Sequence, residues 1–159
     1  MRTPLAIVLL AVTLVASPVA FAQGAAPEVT DVKGLREQAK TPAAKKTLVD
    51  SALALTDAEA KKFWPVYDAF QRKLEANNRR FSLAVQEAVI ADRISDLHAR
   101  NLAKELVEIE DAEARARKAM YTGVVKALPG RKAIRYLQIE SKLQSGYRYE
   151  VASTLPLVK

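Results

Sequence analysis

The residues able to do chemistry are few. The single histidine, His98, has no second histidine at helical spacing, so a metal there would draw on carboxylates such as Asp92 and Asp96. A cap-proximal or surface histidine is the plainer reading, and no metal site or cofactor is expected. The run Glu105, Glu108, Glu110, Asp111 and Glu113 could attract a hard cation but lacks the loop that shapes a calcium site. Cysteine is absent, which removes thiol catalysis, thiolate metal sites and disulfides. There is no Gly-x-Ser-x-Gly, no Gly-rich phosphate loop and no His-Glu-x-x-His. The expectation is a protein that binds and does not catalyse.

Binding chemistry is better supplied. The 25 Lys and Arg outnumber the 18 Asp and Glu, for a formal charge of +7. Arg72-Lys73 and Arg79-Arg80 repeat along one helix, and Arg131-Lys132 with Arg135 open another. These seven form the candidate client- or partner-binding surface. The alternative is a solvated face on which Glu75 and Asp68 pair with the arginines. A basic first turn at Arg131 works against the helix dipole, which points to an anion or acidic partner there. No stacking-aromatic pattern accompanies the charge, so nucleic acid is not expected.

The N-terminus sets the compartment. Met1-Arg2, the apolar run from Leu5 to Val15, and Ala20-Phe21-Ala22 read as a signal peptide over residues 1–22, cleaved after Ala22. Its core is too short to span a bilayer, which takes about 20 apolar residues. An exported, periplasmic protein without stable membrane insertion is expected. Residues 23–33 read as a flexible leader, 34–153 as a single domain and 154–159 as a tail.

The domain reads as all-α. Ala, Leu, Lys, Arg and Glu dominate, aromatics make up 6% and glycine only 5 residues, with no alternating β-branched run. Thr41-Pro42 starts a modest amphipathic helix. Two long helices then fold back across Asp92-Arg93-Ile94-Ser95 as an antiparallel hairpin. Thr56 with Glu59 makes a capping box for the first, and Ser95 caps the second. Phe63, Tyr67, Phe70, Leu74, Asn77, Phe81, Ala84 and Ala88 recur at spacings of four and three, a seam about 3.5 residues in period. Asn77 either sets register or sits at the seam's wet edge. Pro65 predicts a bend, with Trp64 plugging it, or else a separate short helix before it.

Leu102, Leu106, Ile109, Ala112 or Glu113, Ala116, Met120, Val124 and Leu128 supply the answering stripe on the second helix. After Pro129-Gly130 a last helix carries Ile134, Leu137 and Ser141, with Ile139, Leu143, Tyr147 and Val151 on the adjoining edge. A two-layer hairpin leaves one face of each seam poorly covered, so a homodimer is expected.

Leu55-Thr56-Asp57-Ala58-Glu59 and Ile94-Ser95-Asp96-Leu97-His98 resemble the doubled Leu-Thr-x-x-Gln element of the LTXXQ-motif (Spy/CpxP-like) family of exported helical envelope-stress proteins. Glu59 and His98 stand where that family has glutamine. Phe63-Trp64-Pro65-Val66-Tyr67 and the stretch from Arg131 to Glu140 look like a divergent branch of similar proteins. The resemblance implies a bent hairpin that dimerises into a cradle and binds unfolded envelope proteins without ATP. The alternative, which related proteins also exemplify, is an envelope-stress signalling adaptor or inhibitor docking on a membrane sensor domain. A metal-responsive version is weakened because the histidines used by such relatives are missing.

Overall fold

The computed structural model describes residues 31–90 and 94–155. The signal peptide with its cleavage point, most of the leader, Asp92, Arg93 and the tail beyond Leu155 fall outside those residues. Five helices follow in order: α1 (Val32–Gln38), α2 (Pro42–Leu53), α3 (Asp57–Ile90), α4 (Asp96–Ala127) and α5 (Gly130–Thr154). Among the described residues there is no strand. The fold is all-α, as the composition indicates.

Side-chain caps start the first four helices, while α5 opens on Pro129 without one. Asp31 accepts from the amides of Lys33 and Gly34, which brings α1 in two residues before Gly34. Thr41 Oγ1 accepts from the Ala44 amide, with Pro42 in the first turn of α2. The capping box forms in full at α3. The Thr56 amide donates to Glu59 Oε2 (2.8 Å), and the Glu59 amide donates to Thr56 Oγ1 (3.3 Å). Ser95 Oγ accepts from the His98 amide to open α4. Helix α3 runs unbroken through Pro65, so Asp57 to Phe63 is not a separate helix.

Helices α3 and α4 pair antiparallel over most of their length. Val66 lies opposite Gly123, Arg80 opposite Glu105 and Glu87 opposite His98. A Cβ on Gly123 would come within 2.6 Å of Val66 Cγ1, so the absent side chain permits this crossing. The seam buries Phe63, Tyr67, Phe70, Leu74, Asn77 and Ala84 from α3, and Leu102, Ile109, Glu113, Ala116, Met120 and Val124 from α4. Phe81 and Leu106 are half-buried. Asn77 is therefore inside the seam, not on its rim.

Helix α5 turns a different face inward from the Ile134 stripe. Ala133, Tyr136, Ile139, Glu140 and Leu143 are buried, while Ile134 is 53% exposed. Two apolar stripes compete on this helix, and the deciding partner is the aromatic cluster on α3. Tyr136 meets Phe63 edge-on at 5.0 Å, and Phe63 meets Trp64 at 5.0 Å. Trp64 is a half-buried lid on this cluster, with Lys46 Nζ 4.8 Å above its ring. The core cluster takes residues from all five helices and reaches only to Leu74 on α3 and Ala116 on α4.

Among the described residues, one non-glycine backbone position is left-handed. Ala54 closes α2 at φ 43°, a left-handed conformation that glycine adopts freely and alanine does not. Ala54→Gly is expected to raise stability by about 0.5–1 kcal/mol. Thermal melting reads this directly, and a lowered midpoint would contradict it.

Candidate functional site

The cations singled out by the sequence divide into three groups. Arg79 pairs with Glu75 one turn back. Arg80 reaches across the hairpin, its Nε 2.9 Å and its Nη2 3.0 Å from the two oxygens of Glu105. This fork holds α3 to α4. Asp68 pairs with Lys46 of α2 and takes neither arginine. Lys132 also works inside the fold. Its Nζ donates to the Ala54 carbonyl and to Glu59 Oε2, both at 2.7 Å, tying the start of α5 to the end of α2 and the start of α3. The acidic partner anticipated for this basic turn is thus Glu59 of the same chain. Lys132, with the Thr56 amide, holds the Glu59 carboxyl below the usual range. Arg72, Lys73, Arg131 and Arg135 are exposed and have no ion-pair partner among the described residues.

Four of the five acidic residues in the α4 run, all but Asp111, are paired in the same way. Glu105 and Glu108 face Arg80, and Arg148 of α5 bonds Glu113 at 2.6 Å and Glu110 at 3.4 Å. Glu113 also accepts from Arg117, so this buried carboxylate sits between two guanidinium groups. His98 Nε2 lies 3.0 Å from Glu87 Oε1, closing the far end of the hairpin. Among the described residues no group of three acidic, histidine or cysteine side chains could hold a metal; Asp92 lies outside them.

A buried polar knot escapes the periodicity altogether. Lys45 Nζ donates to Glu140 Oε1 (2.6 Å) and to Gln71 Oε1 (2.9 Å), and Gln71 Nε2 donates to Glu140 Oε2 (3.2 Å). Three helices meet there. Tyr136 Oη is buried beside Gln71 and Glu140 but makes no hydrogen bond of good geometry. Burial, and then the Glu140 carboxylate, push the Tyr136 and Tyr67 phenols far above their ordinary range. Above the knot, α2, α3 and α5 border an open groove of about 750 Å³ with Lys45, Lys46, Tyr67 and Arg72 in its walls.

Beyond the core the hairpin becomes thin. Leu155, just past α5, lines one cavity with Phe81 and Ile109, and Leu83, Val89, Leu97 and Val107 on the hairpin's outer half are 47–71% exposed. Tyr121, Val125, Ile134 and Tyr149 are the other large apolar or aromatic side chains exposed among the described residues, nearer the core. No helix of the described residues is long and apolar enough to cross a membrane. No protein-family model matches the chain, and neither a curated protein nor a solved structure shows significant similarity to it.

Proposed function

We propose that the protein is a periplasmic, ATP-independent chaperone-like binder of unfolded envelope proteins, a divergent relative of the LTXXQ-motif family. The supporting observation is the thin outer arm of the hairpin. There Leu83, Val89, Leu97 and Val107 stand exposed on two helices that the Arg80–Glu105 fork holds together beyond the core cluster. Scattered apolar contacts surrounded by charge suit transient capture of extended chains, and the excess of positive charge favours acidic ones. Nothing in this reading needs a nucleotide or a metal.

The mature protein is expected to suppress aggregation of a reduced, unfolding client without ATP, less well as salt is raised. Leu83→Ser with Leu97→Ser, both at exposed positions, should reduce suppression several-fold while leaving helicity intact. Charge reversal belongs at Arg72 and Lys73, because reversing Arg80 would also open the hairpin. Absence of suppression at several-fold molar excess would sink the proposal. A single stoichiometric membrane sensor domain recovered from envelope extract would turn the assignment to the adaptor.

A further inference from the structure

The groove above the buried knot carries donors that the fold leaves unspent. It is bordered by the corner between α1 and α2, by α3 and by α5, and on α3 it extends from Tyr67 to Asn78, a rise of about 16 Å. Its volume of about 750 Å³ is that of a small-molecule site. Two of the polar side chains lining it are more than nine-tenths buried and have no partner. Tyr67 is 3% exposed and Gln144 8% exposed, and neither the phenol nor the amide makes a hydrogen bond among the described residues. Gln144 borders the neighbouring cavity between α4 and α5 as well. Buried polar groups ordinarily find partners, so two open ones lining the same space point to a ligand.

These groups surround the knot. Gln71 follows Tyr67 by one turn on α3, and Gln144 follows Glu140 by one turn on α5. Lys45 bonds Gln71 and Glu140 with two of its three N–H groups, which leaves the third. Burial holds the Tyr67 phenol protonated, so it can donate. The walls are positive on balance, with Arg36, Lys40, Lys45, Lys46 and Arg72 set against Asp68 and Glu75. Both carboxylates are already paired, Asp68 with Lys46 and Glu75 with Arg79. Arg36 and Lys40 pair only with exposed glutamates outside the groove, and Arg72 is exposed with no ion pair among the described residues. Leu74 and Leu143 give the floor an apolar part.

We infer that this groove binds a small organic oxyanion, a carboxylate or phosphate head joined to a short apolar body. The head takes Arg72 and the open donors of Lys45, Tyr67 and Gln144, and the body covers Leu74 and Leu143. A neutral head would leave the charge of Arg72 unanswered, and a cationic one would meet like charges on every wall. The site lies on the core, apart from the outer arm, and stands or falls separately from client capture.

Trp64 is the single tryptophan, and its ring stands 5.3 Å from that of Tyr67, so its fluorescence reports on this groove. Titrated into the purified chain, octanoate or octyl phosphate should change that fluorescence saturably. Octanol and octyltrimethylammonium should bind at least about tenfold more weakly. Arg72→Glu should weaken anion binding at least about tenfold. Tyr67→Phe and Gln144→Leu should each weaken it about fivefold, the loss of one hydrogen bond. Lys118→Glu, the same charge change at an exposed position of α4 outside the groove, should cost less than about twofold. No saturable change with either anion, equal binding of octanol or of inorganic phosphate alone, or equal weakening by Lys118→Glu would overturn the inference.

Discussion

Replacing Glu140 by alanine is expected to destabilise the domain by about 3 kcal/mol, the low end of what breaking a buried ion pair costs. The reason lies in what remains. Lys45 and Glu140 have side chains only 13% and 4% exposed, and Glu140 accepts from both Lys45 and Gln71. Without the carboxylate, the ammonium keeps one neutral acceptor, Gln71 Oε1. Lys45 also borders the groove, so it can regain some water, which places the cost near 3 and not near 5 kcal/mol. The double variant Lys45→Met with Glu140→Leu removes both charges and should return to within about 1 kcal/mol of the parent. Urea unfolding of the three proteins separates the cases. A loss below about 1 kcal/mol for Glu140→Ala would mean that the pair is already wet.

That pair also marks where sequence reading stops. The capping box at Thr56 and Glu59, the Ser95 cap and the α3 seam are local or periodic features, so residues three to seven apart suffice to find them. Phe63, Tyr67, Phe70 and Leu74 are buried where the spacing puts them. Lys45, Gln71 and Glu140 are 26 and 69 residues apart, and each looks like an ordinary surface polar residue on its own helix. Only the meeting of α2, α3 and α5 makes them a site. A faint signal was present in α5, where Glu140 follows Tyr136 by one turn within an apolar stretch. The same limit explains the cations. Sequence shows that Arg80 and Lys132 are basic, but their carboxylate partners lie 25 and 73 residues away, and pairing takes both out of the candidate surface. Arg79 pairs within its own helix with Glu75, so the candidate cations without an ion pair among the described residues are Arg72, Lys73, Arg131 and Arg135.

Truncating Phe63 to alanine should be the more damaging change, at about 4 kcal/mol within the 3–5 kcal/mol span for buried aromatics. Phe63 is fully buried and stands edge-on to both Trp64 and Tyr136 at 5.0 Å. Its neighbours cannot close the cavity easily. Trp64 and Tyr67 are fixed on the same helix beside Pro65, and Tyr136 is held on α5 by the Lys132 clasp below it and the Glu140 knot above. The two edge-to-face contacts add about 0.5–1.5 kcal/mol each beyond buried area, so the loss exceeds simple transfer. Tyr136→Phe supplies the opposite sign at the same place. It keeps the ring against Phe63 and deletes a buried hydroxyl that has no well-formed hydrogen bond. That change is expected to be neutral or stabilising by up to about 1 kcal/mol. Chemical unfolding of both variants checks the pair. A loss above about 1 kcal/mol for Tyr136→Phe would show that its hydroxyl bonds Gln71 or Glu140 in solution, which would make the knot a four-membered network and raise the expected cost of Glu140→Ala with it.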